Sequence, residues 1–263
     1  MARPSLDKIL KVAQDRALAL ADRAPELERE AARAPAPPSF RDALAGRSVG
    51  VIAEVKRRSP SAGAIREDLD PVEHAEAYRR GGAVAISVLT EQPHFGGSLD
   101  DLATVARAVP LPVLRKDFIV HDLQVVEARA AGAAAVLLIA RLLAPAALER
   151  LARVARGHGL GTLIEVHTED ELAHALAAEP TAVGVNSRDL ATFAVDLAAA
   201  ERLVGKVPPD VPAVAESGLA ARRDVERMAA AGADLVLVGT SVARTDDPAA
   251  AVRALVGVPR RGR

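Results

Sequence analysis

VGVIAEVKRRSP, residues 49–60, is a run of β-branched and aliphatic residues that closes on charge and then turns at Ser59-Pro60. Four to six such residues between turn signals read as a buried strand. A dinucleotide-binding sheet would follow this first strand with G-x-G-x-x-G, and no such loop is present. Glu54 and Lys56 stand two apart, so their side chains leave the strand on the same side. Chemistry carried at the end of a strand is the pattern of a (β/α)₈ barrel.

Five further runs repeat that pattern: PVLRKDF (112–118), GTLIEV (161–166), AVGVNSRDL (182–190), VPAVAESG (211–218) and LVLVGTS (235–241). Their endings supply Lys116, Glu165, Asn186, Arg188, Glu216 and Ser217. Strand starts fall near Val49, Val84, Pro112, Ala135, Thr162, Ala182, Val211 and Leu235, alternating with Ala- and Leu-rich segments of helical period. Several of those segments stop at glycine (Gly81-Gly82, Gly132, Gly232), as a helix C-cap feeding the next strand does. The predicted fold is α/β: a single TIM barrel over 48–258, an N-terminal helical extension over 1–47 packed on it, and a basic tail at 259–263. Ser5 would cap a helix running to about Arg23, with Leu6, Ile9, Leu10, Ala13 and Ala17 at helical spacing. Such a stripe needs burial, so the extension reads as a lid or plug on one end of the barrel. The Pro-rich segment 34–40 connects it.

The 263 residues fit one such domain, and with half of them hydrophobic a large core forms without disulfides. Lys and Arg number 34 against 35 Asp and Glu, and this interspersed balance argues against a nucleic-acid partner. No run is long enough to span a membrane and the N-terminus lacks a signal-peptide core, so the reading is a cytoplasmic protein with no membrane partner. Without cysteine there is no thiolate nucleophile, and the six histidines show no metal-binding spacing. They read as solvated or helix-surface residues, and no metal is expected.

Lysine in a dry pocket near other cations sheds its proton more readily, which would suit Lys116 to general acid work. Glu165 would be a carboxylate of raised pKa. Glu216-Ser217-Gly218 and Gly239-Thr240-Ser241 are Gly-containing turns after strands 7 and 8, where barrels frequently bind phosphate. Ser59 adds a hydroxyl after strand 1.

Taken together, IAEVKRRSPSAG (52–63), SVLTEQPHFGGS (87–98), VLRKDFIVHDLQVVEARAAGA (113–133), LIEVHTEDEL (163–172), VGVNSRDL (183–190), VAESGL (214–219) and VLVGTSV (236–242) resemble the indole-3-glycerol phosphate synthase family. The resemblance implies closure of the pyrrole ring of 1-(2-carboxyphenylamino)-1-deoxyribulose 5-phosphate with loss of CO₂ and water, without cofactor or metal. It implies Lys116 as general acid at the ribulose carbonyl, Glu165 in the dehydration, and Glu54 and Lys56 assisting. Asn186 and Arg188 match polar substrate contacts and Phe118 the wall against the aromatic ring. Ser59, Ser217, Gly218, Gly239 and Thr240 match the phosphate end, with Glu216 beside it. Thr240 replaces a Ser or Glu of many relatives, and Gly96 a polar residue of some. The implied partner is a small phosphorylated substrate, the protein a monomer or weak homodimer. Phosphoribosylanthranilate isomerase, on a similar barrel, is expected to use a cysteine that this chain lacks. The remaining alternatives are a paralogue serving another indole-derived pathway, or a silent barrel that would have lost Lys116 or Glu165.

Overall fold

The computed structural model describes residues 6–262; the predicted Ser5 cap and the Leu6 side chain lie outside what is described. Eight parallel strands close into a barrel: β1 (Gly50–Val55), β2 (Ala85–Leu89), β3 (Val113–Lys116), β4 (Ala135–Ile139), β5 (Gly161–Val166), β6 (Ala182–Asn186), β7 (Ala213–Glu216) and β8 (Leu235–Val238). Each pairs with its sequence neighbour, and β1 closes the ring by pairing with β8 as well as β2. This is the (β/α)₈ barrel that the strand spacing predicts.

Strand parity explains how the chain builds its interior. Residues of one parity (Ile52, Leu114, Leu163, Ala182, Val214 and Leu235) form a buried cluster inside the ring. Those of the other parity, among them Val51, Ile86, Val136, Ile164 and Val183, join the larger cluster beneath the helices. Because side chains alternate along a strand, the inner parity continues upward to Glu54, Lys116, Glu165, Asn186 and Glu216. These strand-end residues therefore stand above an apolar floor. The register agrees, with Asn186 level with Glu216 on neighbouring strands.

The extension serves both ends of the barrel rather than the one expected. Helix α1 (Leu6–Ala19) buries Ile9 and Ala13 in the cluster that contains Phe118, next to the strand ends. Its Arg16 makes a two-pronged contact of 3.1 and 3.0 Å with Asp117, the residue after Lys116. Helix α2 (Ala24–Arg33) sets Leu27 and Ala31 against Val126 on the barrel's flank. At the opposite end, α3 (Phe40–Ala43) is capped by Ser39 and drives Phe40 under the barrel. A Cβ on Gly161, at the start of β5, would stand 2.9 Å from the Phe40 ring, so the glycine makes room for this plug. Phe40→Ala is expected to cost about 3–5 kcal/mol in denaturant unfolding, as for other buried aromatic truncations. Its turnover should stay near normal, because the plug is at the end remote from Lys116.

Candidate active site

The segment after β1 folds back as a short hairpin, Arg58–Ser59 against Gly63–Ala64. It is held from both sides. Arg57 bonds Asp101 and the Gly96 carbonyl, while Arg66 donates 2.9 Å to the Thr245 carbonyl and Arg244 3.3 Å to that of Ala62. Beneath it lies a cavity of about 600 Å³, into which all the residues singled out from the sequence project: Glu54, Lys56, Ser59, Lys116, Phe118, Glu165, Asn186, Arg188, Glu216, Ser217, Gly218, Gly239 and Thr240.

The charged groups are paired within the site. Lys116 Nζ lies 3.2 Å from Glu165 Oε2 and 3.0 Å from Glu216 Oε2. Lys56 Nζ lies 2.6 Å from Glu54 Oε1. Asn186 donates its amide to Glu165 at 3.0 Å and accepts the Arg188 backbone N–H at 3.0 Å. Arg188 donates to the Phe193 carbonyl and has no carboxylate partner among the described residues.

Two expectations about proton affinity are corrected by this geometry. Lys116 is surrounded by carboxylates rather than cations. Burial opposes its charge, but Glu216, Glu165 and Glu54 outweigh burial and hold the ammonium well above the usual lysine value. Burial likewise opposes the charge on Glu165. Lys116, His167 and the Asn186 amide prevail there, so this carboxylate is lowered rather than raised. The carboxyl of raised affinity is Glu216, which burial pushes up to about 7, with Glu165 and Glu54 adding to the rise and Lys116 opposing it.

Two glycines shape the carboxylate cluster. A Cβ on Gly184 would collide with Glu216 Oε1, and one on Gly239 with Glu54 Oε1, also standing 2.9 Å from Lys56 Nζ. That Glu216 oxygen is buried and has no hydrogen-bond partner among the described residues, which leaves it ready to meet a bound molecule.

The cavity has two unlike ends. One is apolar: the Phe95 and Phe118 rings meet at a tilt of 47° with centroids 6.3 Å apart, and Leu137, Ile139 and Leu190 lie alongside. The other carries hydroxyls and turns. Ser217 and Gly218 both have positive φ, 66° and 70°, and Gly239 leads into the short helix Thr240–Ala243. A left-handed serine is costly for the backbone and recurs at functional sites. Gly218 must also be bare, since a Cβ would approach Val195 to 2.7 Å.

Several lining residues escaped the sequence reading. Glu91, Phe95 and Arg244 border the cavity, and Glu91 holds His94 at 2.6 Å while capping the turn Gln92–Phe95. His167 is not a solvated histidine. Its side chain is buried behind Glu165, with Nε2 3.8 Å from Oε1. The rule that puts Glu54 and Lys56 on one side, applied to Glu165 and His167, would have found it. Among the described residues no three His, Asp or Glu converge as metal ligands. None of the described helices is long and apolar enough to cross a membrane.

The model of the family described as indole-3-glycerol phosphate synthase matches residues 6–255. Curated proteins named indole-3-glycerol phosphate synthase are similar along most of the chain. One from Desulfosudis oleivorans is 44% identical, covering 95% of this chain and 98% of that protein. One from Kineococcus radiotolerans is 53% identical, covering 80% and 77%. Among solved structures, thiamine phosphate pyrophosphorylase from Pyrococcus furiosus superposes with a TM-score of 0.60 at 18% identity, covering 82% of this chain and 96% of that one. At that identity the likeness concerns the barrel fold alone.

Proposed function

The chain belongs to the indole-3-glycerol phosphate synthase family, and from that premise we propose how its site closes the indole ring. The reaction takes 1-(2-carboxyphenylamino)-1-deoxyribulose 5-phosphate to indole-3-glycerol phosphate with loss of CO₂ and water, a carboxy-lyase step of tryptophan biosynthesis. The observation that carries the residue roles is the Lys116 ammonium, fixed between Glu165 and Glu216 where the apolar end of the cavity meets the hydroxyl-bearing end.

The aromatic ring lies against Phe118, Phe95 and Leu190. The phosphate lies at the turns of Ser217-Gly218 and Gly239-Thr240 with Ser59, where backbone N–H groups meet the dianion. This spans the substrate across Lys116. The ring carbon bearing the carboxylate attacks the ribulose carbonyl carbon, and Lys116 gives its proton to the carbonyl oxygen. The carboxylate leaves as CO₂, and its bonding electrons restore the aromatic ring. The new hydroxyl then takes a proton from Lys56 and departs as water, while the neighbouring carbon loses a proton to Glu165. Glu165, ionised and held by Asn186, suits that acceptor role.

Lys56 and Glu54 assist as a proton-transferring pair, and Arg188, with no acidic partner among the described residues, receives the substrate carboxylate. Glu216 positions Lys116. The proposal includes a cytoplasmic enzyme, a monomer or weak homodimer, acting on this phosphorylated small molecule without cofactor.

Assaying the purified chain for indole-3-glycerol phosphate formation tests the reading, and no product would end it. Inorganic phosphate is expected to compete with substrate, raising the apparent KM and leaving kcat unchanged. A purely non-competitive effect would move the phosphate away from these turns.

A further inference from the structure

His167 lies just beyond β5, two residues after Glu165, and both its ring nitrogens face oxygen. Nδ1 is 3.3 Å from Glu171 Oε2, and Nε2 is 3.1 Å from the Arg188 carbonyl oxygen. The His167 backbone N–H also donates to Glu171 at 2.6 Å, so residue and carboxylate are clamped together. A neutral imidazole has one N–H and one lone pair. Here that lone pair would be aimed at another oxygen lone pair. Only the doubly protonated ring satisfies both partners.

The charged surroundings agree. Glu165 faces the ring from β5 and Glu171 from the helix Glu169–Ala177. Arg141, in the turn after β4, opposes them. Its guanidinium is already neutralised by Glu171 at 2.8 Å and by Asp189 at 2.9 Å. Burial and Arg141 lower the proton affinity of the ring, Glu171 and Glu165 raise it, and the balance is upward. The chain Asp189–Arg141–Glu171–His167 thus joins the segments that follow β4, β5 and β6, and it ends on Glu165.

We propose that His167 is a positioning residue for this reaction: an imidazolium fixed between Glu171 and the Arg188 carbonyl, it keeps Glu165 ionised and ties the segment carrying Arg188 to the strand carrying Glu165. Lys116 and Asn186 hold Glu165 from the cavity; His167 supplies the charge behind it. The inference rests on Glu165 being the proton acceptor of the reaction.

His167→Gln keeps one N–H donor and removes the charge. Steady-state kinetics over pH should be compared for the wild type, His167→Gln, Glu165→Gln and the double variant. Loss of the imidazolium should move the acid limb of the His167→Gln kcat profile upward by about one pH unit, with kcat about tenfold lower below that limb and KM little changed. In the Glu165→Gln background the same substitution should cost nothing further, since groups acting through one another are non-additive. An equal loss in both backgrounds, or a rise in KM with the acid limb unmoved, would overturn the proposal. Full turnover by Glu165→Gln would remove its premise and the proposal with it, a result distinct from failure at His167 alone. Independently of any variant, nitrogen NMR of the wild-type protein should find both ring nitrogens of His167 protonated at neutral pH. A neutral ring there would also overturn the assignment.

Discussion

Lys116→Met should fold as the wild type does and turn over at least ~100-fold more slowly, the scale on which removal of a general acid is felt. The methionine retains bulk and an unbranched stem, so the apolar floor formed by Leu114 and Leu163 is undisturbed. What disappears is the ammonium between Glu165 and Glu216. Two buried carboxylates then face each other without the cation, and like charges in a site of low dielectric raise proton affinity. Glu216 should therefore take up its proton at still higher pH in the variant, a shift that carboxyl NMR reads directly. Near-normal turnover would remove Lys116 from the chemistry.

Glu165→Gln is expected to lower kcat by roughly 10²–10³, with KM changed little. Glutamine keeps the shape and can still accept the Asn186 amide, so the substrate's neighbours stay in place; only the proton acceptor is lost. Lys116 retains Glu216 as its partner. The variant should be distinguishable from Lys116→Met by where it stalls. With the acid intact, ring closure and CO₂ release can proceed, and the hydroxylated intermediate should accumulate before dehydration in single-turnover experiments. A large rise in KM with unchanged kcat would instead make Glu165 a binding group.

The barrel was legible because its signals are local. Runs such as LVLVGTS fix strand, face and end within a few residues, and parity alone places Glu54, Lys116 and Glu216 on the inside. Proton affinity was not legible in the same way, because it depends on which charges meet across the ring. Lys116 and Glu216 are a hundred residues apart in the chain and 3.0 Å apart in space. Nothing in RKDF says that this lysine will be ringed by carboxylates, so its direction of shift had to come from the fold. The role of Phe40 was hidden for a related reason. A Pro-rich segment reads as a connector, and only the bare Gly161 opposite shows that the residue ending it fills the barrel's floor.

The two lysines at the mouth are already neutralised by the protein's own carboxylates. An arriving anion therefore gains a lysine only by displacing a glutamate that already satisfies it, whereas Arg188, with no acidic partner among the described residues, takes one without exchange. With a net charge of −1 over the whole chain, there is also little long-range field to draw anions in. A lone anionic group gains nothing at those lysines, since it returns no more than the glutamate it ousts. A molecule that engages the turns, Arg188 and the aromatic wall together binds without having to break either pair. Discrimination is thus set by the counter-ions the protein carries into its own site.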